Sequence, residues 1–294
     1  MQGRLSARIL AIVGATGCAA QLAPVSQPES PPRRELDAGP AATVAAPADS
    51  PDASVSETPS GPCPEGMALV EREKLRFCVD RFEASLERVS SDGTREKWPG
   101  NQRLDGLEHE MVAVSREGEK PQGYISGAQA KVACENAGKR LCAKEEWLAA
   151  CRGPDSTLYP YGEERKPNVC NDRFKTLDHH PVVTLFKDNA PPDADPREMW
   201  MPRWMNDPRL HELPYTVAKT GEFAECTNEY GVYDMVGNLH EWIDDPAGTF
   251  FGGFFMDTFQ NGEGCSYRTH GHEFEYHDYS TGFRCCAAAD GEHS

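Results

Sequence analysis

Cysteine content sets the tightest limit on what this chain can fold into. Eleven cysteines occur in 294 residues, and ten of them lie from Cys63 to Cys286. That density belongs to chains matured in an oxidising compartment and is out of place in a reduced cytosol. Disulfides use cysteines in pairs, so an odd total leaves one cysteine with a different role. Spacing alone does not choose among the connectivities open to the other ten.

Cys18 is the unpaired one. Arg4 and Arg8 precede the short apolar run Ile9-Leu10-Ala11-Ile12-Val13, and small residues follow up to Gly17. This is the layout of an export signal, with an apolar segment far too short to span a bilayer. Ala15-Thr16-Gly17-Cys18 resembles a bacterial lipobox, with Ala15 where that motif usually has Leu. The resemblance implies a signal over residues 1–18, lipid on Cys18, and a place in the bacterial cell envelope, anchored to a membrane. An ordinary cleaved signal with an incidental cysteine is the alternative. Lipid on Cys18 leaves an even ten.

Residues 19–62 are rich in Pro, Ala, Ser, Asp and Glu and nearly devoid of large apolar side chains. Such a stretch buries too little surface to offset its ordering entropy, so it is expected to be a disordered linker. Its prolines bias it toward extended geometry, at about 3 Å per residue and a reach on the order of 100 Å. The folded domain is then expected over residues 63–294, long enough for one hydrophobic core.

Charge narrows the partners. The chain carries 30 basic and 47 acidic side chains, a net charge of −17. Residues 1–62 hold 4 basic and 6 acidic groups, which leaves 26 against 41, or −15, for the domain. Phosphate backbones would be repelled, so no nucleic acid is expected, whereas cationic partners or divalent ions are favoured. No stretch of 18 apolar residues, Walker glycine loop, dinucleotide glycine loop or Gly-x-Ser-x-Gly elbow occurs.

Local patterns place a few elements. Residues 76–84 alternate apolar and polar side chains, which predicts a strand. Ser126 with Gln129 three residues later predicts a capped helix whose inward face is Ala130, Ala133, Cys134 and Ala137, closed by Gly138. A second helix is predicted from Lys144 to Arg152, with Trp147, Leu148 and Cys151 inward and Gly153 as its stop. Beyond it Pro, Gly, Asn and Asp recur without period, as in a loop-rich fold held by cross-links. Within residues 185–215, Met199-Trp200-Met201-Pro202-Arg203-Trp204-Met205 reads as a satellite core beneath a long loop, or as an adaptable contact surface.

Five ordered motifs carry a family resemblance: Ala137-Gly138-Lys139-Arg140-Leu141 with Glu146-Trp147, Tyr159-Pro160-Tyr161-Gly162, residues 230–242 ending His240-Glu241-Trp242, Gly252-Gly253, and Gly282-Phe283-Arg284-Cys285. Over about residues 76–289 the chain resembles the formylglycine-generating enzyme, or sulfatase-modifying factor, family. The resemblance implies an α+β, C-type-lectin-like domain with little regular secondary structure. It also implies structural calcium, with Asp234 and Glu241 giving carboxylates and Gly237 and Leu239 giving carbonyls. Hard oxygens suit that ion. The competing role for Glu241 is a core pair with arginine. A second calcium set would begin at Asn168-Val169, with Asp172 and Phe174 as later ligands at a shorter spacing than the family has.

Copper is not expected. Family oxidases hold Cu(I) on two thiolates after a Gly-Gly-Ser-Trp motif, and soft Cu(I) needs such ligands. Here Gly252-Gly253 is followed by Phe254-Phe255, and Asp257 stands at the first thiol position. The resemblance assigns Cys265 to a bridge with Cys151 and Cys285 to one with Cys134. Cys63–Cys78, Cys170–Cys226 and Cys142–Cys286 are plausible partners for the rest. A candidate groove remains at Asp257, His270, His272 and Glu273, with His240 and His277 conceivably near, where a Zn or Fe ion is possible; exposed or core-satisfied histidines are the alternative. His179-His180 falls in a loop. The iron-dependent sulfoxide synthases of the family draw on a His-rich helical domain that has no counterpart here. The resulting expectation is an envelope lipoprotein whose domain binds or scaffolds an unknown protein, peptide or small-molecule ligand; an enzyme with a His-based, non-haem metal site is the alternative.

Overall fold

The computed structural model describes residues 61–172 and 179–290. The expected signal, Cys18, the linker up to residue 60 and Phe174 lie outside the described residues. Among the described residues no helix is long and apolar enough to cross a membrane.

The chain enters through β1 (Met67–Arg72) and β2 (Leu75–Asp80), an antiparallel hairpin. The strand predicted over residues 76–84 is real at its start and then breaks. Arg81 donates its backbone N–H to Gly66 O at 3.0 Å and Phe82 to Ser115 Oγ at 3.1 Å, so the chain turns a corner. It leaves one sheet and enters another at β3 (Ser85–Val89). That sheet has the order β4-β3-β5, with β4 at Arg95–Lys97 and β5 at Met111–Val114.

Helix α1 (Gly127–Asn136) begins as predicted. Ser126 and Gln129 cap one another reciprocally, and Gly138 takes φ +70° past the C-terminus. Ala130, Ala133 and Cys134 are buried. Strand β6 (Arg140–Leu141) leads to α2 (Lys144–Arg152), which buries Trp147 and Cys151 and stops at Gly153 with φ +63°. Leu148, expected inward, is only half-buried at the edge of the core.

The loop-like region after residue 178 contains a helix the sequence did not announce, α3 (Pro181–Asn189). His180 caps it and Pro181 occupies its first position, where a missing N–H costs nothing. Val182, Val183, Leu185 and Phe186 are buried. The short helix α4 (Pro202–Met205) follows. Met199, Trp204 and Met205 pack on a cluster built from Leu185, Leu210, Phe255 and Tyr279, as a satellite core requires. Trp200 and Met201 do not, at 43% and 55% exposure.

The C-terminal third supplies β7 (His240–Trp242), β8 (Thr249–Phe251), β9 (Arg268–His270), β10 (Thr281–Phe283) and β11 (Cys285–Ala288). One sheet has the order β10-β7-β8-β9, with β10 and β7 parallel; the other has the order β1-β2-β11-β6. Strand β11 therefore lies beside β2 and beside the start of the helical segment. The architecture is α+β and loop-rich, cross-linked by Cys63–Cys78, Cys134–Cys285, Cys142–Cys286, Cys151–Cys265 and Cys170–Cys226. These are the same five pairs set out from the sequence.

Candidate functional site

The motif of residues 230–242 and the Gly-Phe-Arg-Cys ending meet at Arg284, whose side chain is completely buried. Its guanidinium donates to Glu241 Oε1 at 2.6 Å and Oε2 at 2.7 Å, and to the carbonyls of Asp80 at 2.9 Å and Tyr233 at 2.8 Å. Trp147 Nε1 also donates to Glu241 Oε2, at 2.7 Å. Two more carboxyls face the same cluster. Asp234 Oδ2 accepts from Gly221 N at 2.7 Å, and Glu83 accepts from Leu239 N at 3.0 Å and from the Asn238 side-chain amide. Asp234, Gly237 and Asn238 all have positive φ, which coils this segment tightly. A Cβ on Gly237 would overlap the Asn171 carbonyl, so glycine is required there. Burial pushes the Asp234 carboxyl up to about 7, with the charge of Glu241 adding to it. Burial, then the charges of Asp234 and Glu241, push Glu83 well above the usual carboxylate range.

This arrangement does not fit the calcium set expected at Asp234, Gly237, Leu239 and Glu241. Both oxygens of Glu241 are engaged, by Arg284 and by Trp147. The core pair with arginine is the observed role of Glu241. Among the described residues no group of three or more His, Cys, Asp or Glu side chains is arranged to hold a metal ion.

The second set differs. Asn168 has φ +65°, and Asp172 is buried with Oδ2 bonded to Arg165 Nε at 2.7 Å and to Thr258 Oγ1 at 3.3 Å. Among the described residues Asp172 Oδ1 has no hydrogen-bond partner. A buried carboxylate oxygen left without one is costly, and a hard cation is a fitting partner. Asp172 with the carbonyls of Asn168 and Val169 could hold such an ion.

The first copper-thiol position is occupied by an engaged carboxylate. Asp257, 8% exposed, accepts from Phe259 N at 3.0 Å and Gln260 N at 3.1 Å through Oδ1, and from the Tyr267 hydroxyl at 3.0 Å through Oδ2. It is a turn-forming carboxylate. Cys265 is bonded to Cys151, and among the described residues every cysteine is half of a disulfide.

Among the described residues Asp257, His270, His272 and Glu273 do not form a group that could hold a metal ion. His270 and Glu273 are exposed, whereas His272 stacks on Phe250 at 5.2 Å and on Tyr276 at 4.4 Å. His240 lies buried among Phe250, Phe254 and Tyr267, and burial pushes its pKa down to about 3. His277 bonds Asn206 Oδ1 at 2.7 Å. His180, expected in a loop, contacts Tyr279 Oη through Nε2 at 3.0 Å and caps α3 through Nδ1. Core packing thus accounts for most of these rings. Sequence reasoning missed Glu83 as the third carboxyl of the Arg284 cluster. Its only signal was a charged residue at an inward place in the alternation of residues 76–84.

Residues 79–289 match the family described as sulfatase-modifying factor enzyme 1-like domain, and the chain belongs to that family. It is similar to the inactive C-alpha-formylglycine-generating enzyme 2 of Bos taurus, 27% identical over 125 residues, covering 42% of this chain and 32% of that protein. It is also similar to the formylglycine-generating enzyme of Mus musculus, 28% identical over 136 residues, covering 42% of this chain and 27% of that protein. The matched segments span about a third or less of these relatives. Among solved structures, the Major Tropism Determinant I1 variant aligns with a TM-score of 0.41 and 14% identity, covering 79% of this chain and 54% of the other. The crystal structure of CarF aligns with a TM-score of 0.38 and 14% identity, covering 76% and 93%.

Proposed function

We propose that this protein is an exported, lipid-anchored binding protein whose formylglycine-generating-enzyme-like domain is a disulfide-locked scaffold and not a sulfatase-activating oxidase. The carrying observation is Asp257. It stands where the first copper thiol belongs, its carboxylate is engaged by Tyr267 and two backbone N–H groups, and the next cysteine, Cys265, is closed in a disulfide. Among the described residues a soft Cu(I) ion has no pair of free thiolates to bind. The relative named as an inactive formylglycine-generating enzyme is in keeping with such a loss. Structural calcium, in this reading, belongs at Asn168, Val169 and Asp172, where it would neutralise the unpartnered Asp172 oxygen and fasten the loop.

The deciding experiment is copper titration of the intact protein with oxygen uptake on a cysteine-containing sulfatase peptide. No turnover is expected, and copper-dependent oxygen consumption with conversion of the peptide cysteine would overturn the proposal.

A further inference from the structure

The domain is acidic, yet one cleft is walled by ammonium groups. Lys97 at the end of β4, the turn of Pro99 to Asn101, the segment Gly118 to Lys120, the pair His211-Glu212 and Lys219 enclose about 360 Å³. Three lysines face two carboxylates there, against 26 basic and 41 acidic residues over the domain. Among the lining side chains alone the balance is one positive charge, in contrast to the acidic domain.

The lysines are brought together by backbone. Gly118 donates to Thr220 O at 2.9 Å, Thr220 donates back to Glu119 O at 2.9 Å, and Glu119 N bonds Thr220 Oγ1 at 3.2 Å. This exchange clamps Lys120 beside Lys219 whatever their charges prefer. The opposite wall is equally fixed: Gly123 donates to Gly100 O at 2.8 Å, and a Cβ on Gly100 would overlap the Pro121 carbonyl. The ammonium of Lys120 is further tied to Val217 O. Its pKa is pulled down by burial, which the charge of Glu222 opposes and the smaller effect of Lys219 reinforces.

The carboxylates nearby are already engaged. Glu119 pairs with Lys97, Glu212 accepts from Asn101 at 3.3 Å, and Glu222 accepts from Lys219 N at 3.2 Å. His211 is buried, its Nε2 against Tyr279 O, and burial pushes it down to about 4, so it brings no charge to the cleft at neutral pH. Two like charges held together in a concave, partly desolvated site repel one another, and an anion between them removes that repulsion.

We propose that this cleft binds a small molecule bearing a tetrahedral oxyanion, a phosphate or sulfate monoester of about monosaccharide size, with Lys120 and Lys219 as the anion clamp and Lys97 at the rim. The volume lies at the lower end of small-molecule sites. The assignment deepens the binding-module reading and rests on it; oxygen uptake would sink that reading, whereas failure to bind anions would sink only this one.

The test is calorimetric titration of the full chain with glucose 6-phosphate, glucose 6-sulfate and glucose. Saturable binding of at least one ester is expected, with none by glucose, and the two esters distinguish phosphate from sulfate. Lys120→Gln combined with Lys219→Gln should weaken it at least tenfold. Lys219→Gln alone, whose side chain is at the surface, should weaken it several-fold with the melting temperature kept. No saturable binding of either ester, equal binding of glucose, or undiminished binding by a folded Lys219→Gln protein would overturn the assignment.

Discussion

Glu241 and Arg284 form a two-point pair inside the domain, with exposures of 1% and 0%. The pair joins strand β7 to the link between β10 and β11, and the guanidinium also faces Glu83 and Asp234. A buried cation facing three carboxyls makes this position sensitive to substitution. Arg284→Leu should cost about 3–5 kcal/mol, because it leaves buried carboxylates uncompensated. Urea unfolding measures it, and a loss below about 1 kcal/mol would show that the pair does not organise the core.

The same cluster sets a pH dependence. A carboxyl whose folded pKa is raised holds a proton that the unfolded chain has already released. Its stabilising effect is complete below the unfolded pKa, near 4, and is lost as pH rises through the folded value. For Asp234 that value is about 7, and Glu83 is displaced in the same direction. The protein should therefore be more stable at pH 5 than at pH 8. Asp234→Asn should flatten that slope, as read from thermal melts across the range; an unchanged slope would remove Asp234 from the account.

Calcium distinguishes the two expected ligand sets. Addition of calcium after chelation should raise the melting temperature of the wild type, and Asp172→Ala should abolish that response. A calcium response that survives Asp172→Ala and disappears in Asp234→Ala would return the ion to the Glu241 segment.

Elements that announce themselves locally were legible in the sequence. Ser126 with Gln129, and Gly138 and Gly153, mark the ends of α1 and α2 through backbone bonds made within a few residues. Helix α3 was not legible, because its cap is a histidine and a stretch dense in Pro and Asp follows it directly. The break at Arg81 was hidden because alternation continues across it, and only contacts to Gly66 and Ser115 reveal the corner. The site divided in the same way. Asp257 as a departure from a thiol could be read directly, but the engagement of Glu241 required Arg284 and Trp147 to converge from 43 and 94 residues away.

The bridge between Cys151 and Cys265 tests the structural role given to Cys265. Replacing both by alanine should cost about 3–5 kcal/mol, the chain-entropy expectation for a loop of this length. Thiol labelling of the native wild type should find Cys265 unreactive. A free, reactive Cys265 would reopen redox chemistry at that position.

Cys18→Ala should shift the full-length protein from the membrane fraction to the soluble fraction on cell lysis. Fractionation unchanged by the substitution would count against a lipid anchor.

Cys285 and Cys286 are neighbours on β11, and successive strand residues point to opposite faces. One bonds into the cluster of Cys134 and Trp242, the other into that of Cys142 and Trp147. Together with Cys151–Cys265 and Cys170–Cys226, every one of these four bridges joins a residue at or before 170 to one at or after 226. A protease cutting anywhere between those two positions would not divide the molecule. The nicked protein would run as a single species until reduced, so such damage would pass unnoticed by size while the two fragments stayed together.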